Sequence, residues 1–149
     1  MENILEKLKK EVERENKCKA QAILLLEFIE QELAHPLSEL FGDEYDDDDV
    51  HDGFIWVHRG VYFRYVAVND AEETGFYLTN DGLPQMGSPL RELKGELFWQ
   101  CIIEVCEWVE NVLPTLVEQH SEYRKNSFSY LFQIAGAIEA AKIEEKNRR

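Results

Sequence analysis

Apolar residues recur at helical spacing toward both ends of the chain and at strand spacing only in its middle. Leu5, Leu8 and Val12 mark one stripe. Ala22, Leu26, Ile29 and Leu33 continue it at intervals of four, three and four, which predicts a long helix or two stacked pieces over residues 3–34. Between the two stripes Glu13 to Lys19 is polar nearly all round apart from Cys18, as expected of a solvent-exposed middle or a change of packing partner. Pro36 disfavours helical geometry in the residue before it, so the helix is predicted to stop at or before His35. A short turn over 36–41 then closes at Gly42.

The middle reads as strands. Residues 54–58 and 61–68 are rich in β-branched and aromatic side chains, and Arg59-Gly60 between them predicts a tight hairpin. A third strand over 76–79 follows an acidic turn and is closed by Asn80-Asp81-Gly82. Both faces of the second strand are largely apolar, so at least part of the second face is expected to be covered by helices or by a partner chain. Residues 83–89 are rich in Pro and Gly and read as a linker, with Ser88 as N-cap and Pro89 at the first position of a helix. Leu93, Leu97, Cys101, Ile102, Val105, Val109, Val112 and Leu113 mark its apolar face, and Pro114 kinks or ends it. A last amphipathic segment over 127–145 places Phe128, Leu131, Phe132, Ala135, Ile138 and Ala141 on one side. The predicted fold class is α+β: a three-stranded antiparallel meander, about 54–79, packed against three to four helices. These are a long N-terminal helix and two C-terminal ones, in a single domain over 1–149 with an acidic loop at 42–53 and a linker at 83–89.

Composition narrows the class. With 149 residues, 44% of them hydrophobic, the chain has the makings of a globular core that buries about 68–70% of its unfolded surface. No apolar run approaches the roughly 20 residues that span a bilayer. The N-terminus lacks a basic stretch followed by an apolar one, so no signal peptide is expected. Three cysteines without paired spacing suggest reduced thiols and a cytoplasmic setting.

Charge changes the picture most. The net charge is −14, and residues 20–90 hold fifteen carboxylates against two arginines, a net −13. The densest run is Asp43, Glu44, Asp46, Asp47, Asp48, Asp49 and Asp52, with Tyr45 among them; Asp70, Glu72, Glu73 and Asp81 extend the excess. Such a local field repels free nucleic acid and anionic membranes and attracts a basic protein surface or a divalent cation. Carboxylates on an extended chain follow one another at about 3.3 Å, comparable to the roughly 3.4 Å step of phosphates along one DNA strand. The leading expectation is therefore a non-enzymatic inhibitor that imitates nucleic acid and covers the basic surface of a nucleic-acid-binding protein. Tyr45 would be an anchor among the partner-binding carboxylates. The plain alternative is a solvated linker whose charge maintains solubility.

Calcium is a second use of the same residues, through Asp46, Asp48, Asp49 and Asp52. The helix–loop–helix calcium pattern fails, because Val50 stands at a ligand position and Arg59 where a bidentate Glu belongs. Zinc finds no suitable Cys or His spacing, and no other cofactor is implied. No nucleophile elbow or glycine-rich phosphate loop occurs, so no catalytic residue is expected. Phe54, Trp56, Tyr62, Phe63, Tyr65, Phe76 and Tyr77 read as cross-strand packing, since a base-stacking sheet needs a basic groove. His58 shares a face with Trp56 by strand alternation and is expected to pack beside it. Trp99 and Trp108 lie about 180° apart on a regular helix, so one of them is expected to face outward. That residue, with the smooth Ala135-Gly136-Ala137 patch, would serve an assembly subunit or a homodimer formed through the helical half. Small size, acidity, an α+β layout and the absence of a catalytic motif are similar in kind to phage or plasmid inhibitors that imitate DNA, and to bacterial immunity proteins. The likeness is of composition, not of motif.

Overall fold

The computed structural model describes residues 3–41, 52–66 and 74–148, and the chain divides into two compact units, 1–106 and 107–149. The first unit opens with α1 (Ile4–Phe41), followed by strands β1 (Asp52–His58), β2 (Val61–Val66), β3 (Gly75–Asn80) and β4 (Leu83–Pro89). A 3₁₀ turn (Leu90–Glu92) leads to α2 (Gly95–Glu107). The second unit holds a π turn (Trp108–Val112) and α3 (Leu113–Asn147).

Asn3 caps α1, its Oδ1 accepting the Glu6 amide at 2.9 Å. The helix does not stop at His35 but runs through Pro36 to Phe41. Continuing it buries Leu37 completely, and the Tyr65 hydroxyl donates to the Phe41 carbonyl at 2.9 Å, satisfying an orphan acceptor of the last turn. Burial of a leucine, worth about 1.5–3 kcal/mol, offsets much of the roughly 3 kcal/mol cost of an internal proline.

Among the described residues the sheet is an antiparallel meander of four strands in the order β1-β2-β3-β4, one strand more than the sequence predicts. The segment read as a linker is β4. Asp81 and Gly82 both adopt positive φ, 56° and 77°, the geometry of a two-residue hairpin turn, and return the chain along β3 with Leu78 opposite Ser88. Pro84 and Pro89 are tolerated because β4 is an outer strand. Ser88 therefore lies in a strand rather than capping a helix, and α2 begins only at Gly95. The Arg59-Gly60 hairpin is as expected, with φ of 46° and 85°.

One sheet face centres on Phe63, fully buried against Phe76 with ring centroids 4.9 Å apart. α1 packs against β2 and β3. In α2 Cys101 and Val105 of the predicted apolar face are buried, together with Phe98, while Leu97 is exposed. The polar stretch of α1 has a partner: Lys19 Nζ donates to the Leu93 carbonyl at 2.6 Å and lies 5.1 Å from the Phe98 ring centre.

Helical backbone continues from Gly95 to Asn147, so among the described residues the long helices form two runs rather than three or four. Pro114 does not end the second run. The Leu113 amide bonds the Trp108 carbonyl five residues back, and this wider turn accommodates the proline that follows.

Candidate interaction surface

The second sheet face is built from aromatic pairs. The register sets Trp56 opposite Tyr62 and Tyr62 opposite Tyr77, and places Phe54 beside Arg64. Tyr62 stacks on Tyr77 at 5.5 Å, while Phe54 and Trp56 meet edge to face at 5.6 Å and each also abuts Tyr62. Tyr62 is buried, whereas Phe54 and Trp56 each keep 48% of their surface exposed. Outer strand β1 thus presents two large rings held at fixed geometry by a buried tyrosine. Rigid amphipathic rings of this kind are the usual anchors of protein interfaces.

Asp52 is the first residue of that strand, paired through its backbone with Val66. Asp43, Glu44, Tyr45, Asp46, Asp47, Asp48 and Asp49 precede it, and they lie outside the described residues, as do Asp70, Glu72 and Glu73. The proposed calcium ligands Asp46, Asp48 and Asp49 fall outside with them. Among the described residues no cluster of three or more His, Cys, Asp or Glu side chains is placed to hold a metal ion. Asp81 sits exposed in the β3–β4 turn.

Two carboxylates that sequence reasoning passed over do local work. Glu104 in α2 is mostly buried; its Oε1 lies 3.5 Å from Arg59 Nη1 and its Oε2 lies 3.7 Å from His58 Nε2. It therefore pins the β1–β2 turn to α2. A bulge between Trp56 and His58 breaks the strand alternation, which is why His58 meets Glu104 instead of packing beside Trp56. Glu30 in α1 accepts the Phe76 amide at 3.3 Å. Burial pushes its carboxyl up to about 7, against the opposing influence of that hydrogen bond and of Arg91. The helical spacing of α1 gave no sign of either partner.

Trp108 is almost completely buried, and Trp99 is the more open of that pair, partly buried with Nε1 donating to Glu15 Oε1 at 2.6 Å. Trp56 is the most exposed of the three tryptophans. Cys101 is a buried core residue, as its place on the apolar face suggests, and burial raises its thiol above the usual range. No family model, curated protein or solved structure matches this chain. Its chemistry must be read from its own residues. No described helix is long and apolar enough to cross a membrane. A shallow depression lined by Thr115, Glu118, Gln119, Glu122, Tyr123 and Asn126 belongs to one helix, which by itself encloses no ligand.

Proposed function

We propose that the protein is a non-enzymatic acidic binding protein that covers a basic surface of a protein target, in the manner of an inhibitor imitating nucleic acid. The observation that carries this reading is the exposed Phe54–Trp56 pair on the strand into which the run Asp43–Asp52 leads. Carboxylates attract Arg and Lys at long range, and aromatic faces hold the same cations at contact, so the two features favour one class of partner. A nucleic-acid-binding protein supplies such a surface, rich in Arg and Lys and shaped to a row of negative charge.

Capture of the target from the source cell, followed by titration at rising salt, tests the proposal. Affinity should fall steeply with ionic strength, since screening reaches about 8 Å at 0.15 M. Replacing Asp46 to Asp49 together by Asn should weaken the complex at least tenfold while the far-ultraviolet circular dichroism stays unchanged. Nucleic acid should compete with the protein for the target. Undiminished binding by the Asn variant would overturn the proposal.

A further inference from the structure

Helix α3 lacks what a long helix in water requires. Of its residues only Leu113 is buried, yet Phe128, Tyr130, Leu131, Phe132, Ile134 and Ile138 all stand more than half exposed, Phe132 at 75%. Thirteen consecutive residues, Asn126 to Ile138, carry no charge. Helices draw most of their stability from packing an apolar face, and a helix apolar on several sides is one that is buried in its working state. At 100° per residue Phe128, Leu131, Phe132 and Ile138 fall on one side of the helix, with Ala135 among them, and form an apolar stripe that one facing helix can cover.

We propose that a second copy of this chain covers this surface, through an antiparallel crossing of two α3 helices near Ile134 and Ala135. The sequence of the helix is complementary to itself in that direction and in no other. Its first half, Phe128 to Ile134, is bulky; its second half, Ala135 to Ala141, holds Ala135, Gly136, Ala137, Ala140 and Ala141. A two-fold axis between Ile134 and Ala135 sets Phe128 across from Ala141 and Leu131 across from Ile138. Ala135, small, exposed and central to that stripe, leaves room for a second backbone to approach. The same axis brings Arg124 of each copy, which shares the side of Phe128 and Ala135, across from Glu145 of the other. A parallel pairing would instead set Arg124 on its twin and Glu145 on its twin, which is unfavourable. The strong acidity of the chain disfavours an anionic membrane as the occupant.

Sedimentation velocity on the whole protein at micromolar concentration should show a dimer. Glu145→Lys should weaken it about fivefold or more, and adding Arg124→Glu should restore it. Orientation is read with a short bismaleimide in a Cys18→Ser, Cys106→Ser background. Ala135→Cys should cross-link between copies. Ser121→Cys should not, because antiparallel copies hold those positions about 40 Å apart at 1.5 Å per residue. A monomer, a dimer indifferent to the charge reversals, or cross-linking at Ser121→Cys would each overturn the proposal. All the altered positions except Ser121 are exposed, and unchanged circular dichroism verifies the fold of each variant.

Discussion

The Phe76 backbone amide donates to Glu30 Oε2 at 3.3 Å, so a side chain of α1 takes the place of a strand partner at the start of β3. The arrangement is pH-sensitive. The folded state raises the Glu30 carboxyl from the ordinary 4.5 to about 7, and so binds its proton more tightly than the unfolded chain does. The resulting stabilisation is complete below about pH 4.5 and is lost as pH rises through about 7. Partial solvent exposure reduces it to roughly 1–3 kcal/mol. Glu30→Gln keeps an acceptor for Phe76 and carries no charge. Its melting temperature at pH 8 should exceed that of the parent by a few degrees, and the difference should vanish by pH 5. Parallel melting curves across that range would show that Glu30 is not the titrating group.

Gly75 is the other half of this contact. A Cβ there would land on the Glu30 carboxylate, so Gly75→Ala should cost about 1–3 kcal/mol by forcing the two apart. Combining it with Glu30→Ala should cost clearly less than the sum of the single changes, because one shared clash cannot be relieved twice. Chemical denaturation of the four proteins measures the difference.

Glu104 tests how α2 is tied to the sheet. Glu104→Ala should lower stability by about 1–2 kcal/mol, since its carboxylate faces both Arg59 and His58 from a mostly buried position. Arg59→Ala should cost about 0.5 kcal/mol or less, because that side chain is largely in solvent. A double-mutant cycle on the pair should return a coupling that shrinks in 1 M salt.

The aromatic face separates anchoring from folding. Tyr62 is fully buried, and Tyr62→Ala should cost about 3–5 kcal/mol. Trp56→Ala removes a ring that is half in water, so its effect on melting should be small. Against a basic target the order should reverse, with Trp56→Ala weakening binding about tenfold or more. Calorimetry alongside binding measurements checks both.

Much of this architecture was legible in the residues, and the failures have physical causes. The Arg59-Gly60 hairpin and the strands on either side follow from local backbone preference and β-branched content, which leave a strong mark. Strand β4 does not, because an outer strand needs only backbone pairing and tolerates prolines. The signal that could have found it was Asp81-Gly82, a hairpin pair placed directly after a strand. Extension of α1 through Pro36 depended on the burial of Leu37 and on Tyr65 reaching Phe41, and both are tertiary facts. The burial of Phe98 in place of Leu97, beside the expected Cys101 and Val105, could not be read because the apolar residues of α2 occupy more than one face. For the candidate surface, the alternation of β1 shows that Phe54 and Trp56 share a side. It does not show that the side stays half open.

Strand β1 also carries a hazard. It forms an outer edge of the sheet, and Phe54-Ile55-Trp56-Val57 is a short, uncharged, strongly β-prone segment of the kind that seeds fibrils. The carboxylates just ahead of it in the chain are suited to keep such edges apart by mutual repulsion between molecules. Salt at about 1 M would screen that repulsion. Thioflavin-positive assemblies should then appear sooner than in a Trp56→Lys variant, which makes the acidic run a guard on the chain's own solubility.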